Sequence, residues 1–184
     1  MRHAYNREAN VVGAAALALA DSMRDAVERA GGHGASGPAA IVALDGLLAG
    51  ASIDRLARVC GLSHSGAVRL ADRLAEDGLV ERRTGADGRS VALALTAAGR
   101  RSAARIRAQR EAAIETALAP LEAGDRAALA RAAELVLAGM AAEEPGEDRI
   151  CRLCDTDACG RSRGRCPVAE AARAAEEANP DTQA

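Results

Sequence analysis

Four of the five cysteines crowd into one stretch near the carboxyl end, as Cys151-x2-Cys154-x4-Cys159-x6-Cys166 followed by Pro167. Four soft thiolates this close together, separated by small and flexible residues, can close around one tetrahedral ion. The Cys151/Cys154 pair supplies a tight bidentate turn, and Gly160 and Gly164 let the chain come back on itself. Mutual repulsion of so many thiolates is relieved by a cation. The spacing therefore predicts one metal centre held by Cys151, Cys154, Cys159 and Cys166, with zinc first. An iron–sulfur cluster is the alternative, since a short run ending in Cys-Pro also suits cluster ligation. A third chemistry for the same residues is a reversible Cys151–Cys154 disulfide. Asp155 and Asp157 are either accessory ligands or solvated loop carboxylates. The plainest version of all three is a staple that orders a tail too small to fold by itself.

A second constellation lies at residues 52–99. Ser52 caps a helix whose apolar positions Ile53, Leu56, Ala57 and Cys60 recur at i, i+3, i+4 and i+7, and Gly61 supplies a left-handed stop. This places Cys60 on the buried face, as core and not as a switch. Ser63 caps a second helix with Ala67, Leu70, Ala71 and Leu74 inward and His64, Ser65, Val68, Arg69, Asp72 and Arg73 outward, ended by Gly78. Two strands follow, at 79–83 and 90–95, in which Val91, Leu93 and Leu95 alternate toward the core. The turn between them, Thr84-Gly-Ala-Asp-Gly-Arg89, has two glycines for positive φ and an arginine at its end.

Helix, tight turn, helix and basic hairpin are the layout of a winged helix-turn-helix, in which the first turns of the second helix meet base edges in the major groove. Short hydroxyls bond bases or phosphates, and an arginine takes guanine in a bidentate pair. Ser65 and Arg69 are the foremost base-contact candidates, with Ser63, His64, Arg73 and Arg83 beside them. Arg89 projects where a wing enters the minor groove, its guanidinium oriented by Asp87. Gly66 weakens the helix by about 1 kcal/mol relative to alanine, which a close approach of backbone to DNA would justify.

These residues need positioning. A near-heptad stripe of Val12, Ala16, Leu19, Met23, Ala26 and Ala30 predicts a helix over 8–30, broken by the glycines of 31–38. A short apolar helix follows at 39–48. Two long helices come after the hairpin, at 97–118 and 125–142. Their narrow stripes are Ile106, Ala113, Ile114, Ala117 and Leu121, then Leu129, Ala133, Val136 and Met140. Such stripes outrun one small core and fit a helical dimer interface. Residues 143–148 read as an acidic linker.

Composition agrees. Hydrophobic residues make up 49% of 184, with one Tyr and no Phe or Trp, so the core is aliphatic and the helices sit close together. All 24 basic residues are arginine, as a bias toward Arg and Ala codons would produce. The net charge of −2 hides its distribution: residues 81–110 carry eight Arg against Glu81 and Asp87, whereas 134–148 carry five acids and no base. Local sign steers a polyanion. The longest apolar run, 11–20, is too short to span a bilayer and the first residues are polar, so a cytoplasmic protein without membrane contact is expected.

The string GLSHSGAVRLADRLAEDGLVERR followed by DGRSVALALTAAG resembles the MarR family of bacterial transcription regulators. Its marks are Asp72-Arg73-Leu74, then Gly-Leu-Val-Glu-Arg, then Asp87, Arg89, Leu95, Thr96 and Gly99. The resemblance is sharp over 52–99 and weaker, by helix order, over 8–142. It implies a homodimer on a pseudo-palindromic operator, usually repressing, and in many members released by a small phenolic ligand, a metal or an oxidant. After residue 142 the chain departs from the family.

The expected protein is mainly α: a winged helix-turn-helix flanked by dimerisation helices. Its regions are an N-terminal dimerisation helix (1–36), the DNA-binding region (37–99), C-terminal dimerisation helices (100–144) and a cysteine-rich metal-binding tail (145–184). Its expected function is sequence-specific binding of double-stranded operator DNA as a homodimeric repressor. Control comes from a metal, a cluster or redox state at the tail, or from a small-molecule effector. A thiol oxidoreductase using Cys151 and Cys154 is the alternative, set back by the lack of a βαβ pattern and of a catalytic His or Glu constellation. An RNA binder with a zinc knuckle is set back by the near absence of aromatics for stacking bases.

Overall fold

The computed structural model describes residues 6–85, 91–143 and 147–178. Helices α1 (Arg7–Gly31), α2 (Gly37–Asp45), α3 (Ile53–Cys60) and α4 (His64–Glu76) precede a hairpin of β1 (Val80–Thr84) and β2 (Val91–Leu95). Then come α5 (Ala97–Leu118), α6 (Ala123–Glu143), α7 (Glu147–Ile150), a 3-10 turn at Arg161–Arg163 and α8 (Pro167–Ala178). This is the winged helix-turn-helix that the sequence predicts, with helices on either side.

Local chemistry explains most boundaries. Asn6 Oδ1 accepts from the backbone N–H groups of Glu8 and Ala9 (2.9 and 3.4 Å), and Ser52 Oγ accepts from Arg55 N at 3.3 Å, so α1 and α3 start on caps. Gly61, at φ +65°, ends α3. The strands pair antiparallel with Val80 opposite Leu95 and Thr84 opposite Val91. A bridge from Ser52 to Ala92, with Leu93 N–H donating to Ala51 O at 2.9 Å, ties the entry of α3 to the free edge of β2.

One core holds the reader. Ile41, Leu48, Leu56, Leu70, Leu74, Leu93 and Ile106 are fully buried in it, drawn from α2 and the turn after it, α3, α4, β2 and α5, with Val27 of α1 and Val80 of β1 joining them. Val91 departs from the expected alternation. It is 46% exposed, because it sits opposite Thr84 at the outer end of the hairpin, beyond the reach of the helices. The amino-terminal half of α1 is likewise uncovered, with Val11, Val12 and Leu17 exposed, so its stripe meets this chain's core only from about Ala26. On α6, Leu129, Leu135, Val136 and Met140 are also exposed.

The tail has a core of its own. Cys151, Cys166, Val168 and Ala169 bury with Ala141 of α6, and Leu47 and Leu153 link this cluster to the main one. The expected acidic linker is shorter than the sequence suggests, since Glu147 and Asp148 already belong to α7.

Candidate nucleic-acid interface

Helix α4 has the two-sided character a groove-reading helix needs. Ala67, Leu70, Ala71 and Leu74 are buried, while Ser63, His64, Ser65, Arg69 and Arg73 are exposed. Ser63 Oγ accepts from Gly66 N at 3.1 Å and lies 3.3 Å from Ser65 Oγ, so one hydroxyl caps the helix and the other is held at its first turn. A side chain on Gly66 would place its Cβ 3.2 Å from Ser63 Oγ. The cap itself therefore gives a reason for glycine here, besides any approach to DNA.

The other predicted contacts are tied to the scaffold. His64 Nδ1 is 2.6 Å from Asp54 Oδ1, which joins the start of α4 to the start of α3. Asp72 accepts from Arg82 of β1, fixing the wing against α4. Arg83 pairs with Glu81 on the same face of β1. Among the described residues no ion pair engages Arg69 or Arg73, which share a face with Ser65 at four-residue intervals. Asp87 and Arg89 lie outside the described residues.

The arginine cluster after the hairpin is largely internal wiring. Arg100 donates to Leu95 O (2.9 Å) and Arg105 to Ala30 O (3.0 Å), so both satisfy backbone carbonyls where elements end. Arg107 pairs with Asp45 at 2.7 Å and lies 3.8 Å from Asp155. Neither a DNA-facing patch nor a merely solvated face describes these three. Sequence reasoning missed the roles of Arg105 and Arg107 because their partners are distant in the chain, and that of Arg100 because its partner is a backbone carbonyl five residues back. It also missed His33, in a left-handed conformation at φ +62°, which reaches Asp77 at the end of α4 (3.3 Å).

An open cleft of about 460 Å³ lies between the end of α2 and the hairpin. Leu44, Ala49 and Leu95 give it an apolar wall, and Arg83 and Arg100 are among its lining residues.

In the tail, Cys154 N–H donates to Cys151 O at 2.9 Å, forming the expected tight turn. The Asp155 carboxylate accepts from the N–H groups of Ala158 and Asp157 (2.9 and 3.0 Å), and these bonds hold it below the usual carboxylate range. Gly160 and Gly164 take positive φ and reverse the chain. The Cys154 thiol is drawn down to about 6 by a hydrogen bond from Cys151 and by Arg110, Arg152 and Arg161, against the effect of burial. Cys151, the donor in that bond, is pushed up. Cys159 is raised by burial, and Cys60 by burial to about 11 although Arg152 opposes it. All five thiols are free. The four tail sulfurs share one neighbourhood, but among the described residues no three or more Cys, His, Asp or Glu side chains are grouped so as to hold a metal ion.

Residues 39–90 match the model of the MarR family. No curated protein sequence matches the chain. Among solved structures, the chain is similar to RV1404 from Mycobacterium tuberculosis (TM-score 0.59, 20% identity, covering 74% of this chain and 94% of that one). It is similar to wild-type MarR in its apo form from E. coli (TM-score 0.57, 18% identity, 70% and 96%). It is also similar to the MarR family protein RV2887 of M. tuberculosis in complex with salicylic acid (TM-score 0.50, 28% identity, 67% and 94%).

Proposed function

We propose that this chain, which carries a MarR-family winged-helix fold, is a duplex-DNA-binding transcriptional regulator that acts as a homodimeric repressor. The observation that carries the reading is α4. It is capped at Ser63, buried along one face, and exposes Ser65, Arg69 and Arg73 along the other beside a wing pinned by Asp72 and Arg82. Proteins of the matched family are regulators and not enzymes. The thiol oxidoreductase alternative is not favoured, because the Cys151/Cys154 turn joins helices and the described residues hold only a two-stranded hairpin. No helix among the described residues is long and apolar enough to cross a membrane.

Selection from a randomised duplex pool, followed by a salt titration, tests this. A regulator enriches a two-fold-related sequence and binds it at least about 10³ times more tightly than random duplex. Equal affinity for every duplex, or preference for single strands, overturns the reading.

The dimer part rests on the uncovered apolar surface of α1 and α6. Leu135 is 76% and Val136 61% exposed, so neither supports the fold of the single chain. Replacing both by Glu should leave helicity unchanged and turn the protein monomeric in sedimentation velocity, since unpaired charges in an apolar interface are strongly unfavourable. An unchanged dimer removes α6 from the interface.

Control is read at two places. The cleft, with its apolar wall and with Arg83 and Arg100 in its lining, suits a small aromatic carboxylate, and RV2887 forms a complex with one, salicylic acid. The four tail thiols are not gathered around one point among the described residues, but they supply the soft donor set that a single thiophilic metal would draw together, zinc first and an iron–sulfur cluster second. Metal analysis with an absorption spectrum of anaerobically purified protein decides between them: zinc without colour, or iron with visible bands. Protein without either metal overturns the metal reading.

A further inference from the structure

The cysteine tail does not hang from the end of α6 but reaches back across the reader, and the residues that make this contact flank the thiols. Asp148 of α7, three positions before Cys151, accepts from Arg55 Nη2 in the first turn of α3 at 2.8 Å. Its other oxygen lies 3.7 Å from Arg161 Nη2, in the 3-10 turn of the tail itself. The carboxylate is only 17% exposed, and a carboxylate so placed depends on its cationic partners. One guanidinium comes from the reader and the other from the cysteine knuckle.

The next residue, Arg149, holds the far end of the same helix. Its guanidinium lies 3.5–3.6 Å from where a Cβ would stand on Gly61, the left-handed cap of α3. A second line of contacts runs beside it. Thr156 fills the space in front of Gly46, its Oγ1 3.2 Å from the Cβ position there, and Arg107 of α5 lies between Asp45 and Asp155. The tail thus touches both ends of α3, the turn after α2, and α5.

We infer that the cysteine tail is an intramolecular clamp on the reader, with Asp148 as the positioning residue that passes the state of the thiols to α3. This rests on the regulator reading above and names its route of control. Cys151 and Cys166 are 4% and 3% exposed in the small core, so any chemistry that displaces their sulfurs must repack that core. Asp148 and Arg149 sit too near Cys151 in the chain to stay in place when it does. Helix α3 transmits the shift, because it shares the main core with α4 and holds the start of α4 through Asp54 and His64. Two packed arrangements, clamped and released, give a bistable element of the kind switches use.

The test is hydrogen exchange on the full-length protein without DNA, in a Cys60→Ala background so that only tail thiols react. Titration with an organomercurial should lower protection of residues 56–62 by about tenfold. Asp148→Asn should raise exchange there with the thiols untouched, and the mercurial should then add little. Loss of protection in residues 151–166 with no change at 56–62 overturns the clamp. Should Asp148→Asn disorder the tail, Arg55→Ala decides, since Arg55 is half exposed and lies outside the knuckle; unchanged exchange at α3 in that variant also overturns it. Failure of the regulator reading would appear separately, as absence of duplex binding by the untreated protein.

Discussion

Replacing Gly99 by alanine should lower the melting temperature by about 10 °C or more. Gly99 is in the first turn of α5, where the chain leaves β2 and the start of β1 passes beneath it. A Cβ at this position would stand 2.1 Å from Leu79 O and 3.0 Å from a Leu95 methyl. The first contact is with backbone and cannot be relieved by a rotamer change. That carbonyl accepts from Thr96 N at 3.0 Å, and the Thr96 hydroxyl donates to Gly78 O at 2.6 Å while accepting from Gly99 N at 3.1 Å. One added methyl therefore forces apart α4's exit, β1's entry and the cap of α5.

Overpacking alone costs about 1–3 kcal/mol, and each strained hydrogen bond adds about 1 kcal/mol. At roughly 2–4 °C per kcal/mol for a chain of this size, a fall of about 10 °C follows. Gly124→Ala is the control: nothing lies within 4 Å of its Cβ position in the first turn of α6, away from Leu135 and Val136, so it should stabilise by at most about 0.5–1 kcal/mol. Calorimetry on the two variants checks both signs. A fall below about 3 °C for Gly99→Ala would mean that the start of α5 can slide away from β1.

The same region shows what was legible in the sequence. Ser52, Gly61 and Ser63 act within three or four residues of themselves, so their caps and stops could be read from spacing alone, and the inward faces of α3 and α4 with them. Val91 shows the limit of periodicity. Alternation gives the face of a strand but not where the core beneath it ends, and Val91 lies past that end.

The arginines show a second limit. A run of like charge looks the same whether its members face DNA, face water or satisfy distant carbonyls. Only the fold brings Arg105 to Ala30 O, or Arg55 to a carboxylate 93 residues away. The cysteine spacing predicts a tight Cys151–Cys154 turn and a reversal at Gly160 and Gly164, and the structure forms both. That the tail lies against α3 was not legible, because the contact rests on Asp148, which in sequence reads as the last residue of an acidic linker, and on Arg149 just beyond it.

Arg69→Ala should weaken binding to the selected operator by about 1–3 kcal/mol, roughly 5- to 150-fold, and relax discrimination at one base pair. Of the predicted contacts that the structure describes, His64 is held by Asp54 and Arg83 by Glu81, so neither is poised for a base without first leaving its partner. Ser63 spends its hydroxyl on the cap. Arg69 is exposed one turn after Ser65, on the first half of α4 that a groove-reading helix presents to base edges. Arg73, one turn further on, is better placed for phosphate. The two arginines then separate by measurement. Arg73→Ala should weaken all duplexes alike and reduce the salt slope by about 1, whereas Arg69→Ala should leave the slope of non-specific binding nearly unchanged. Should Arg69→Ala instead weaken every duplex equally and lower the slope, with helicity intact, Arg69 is a phosphate contact and base reading by α4 rests on Ser65 alone.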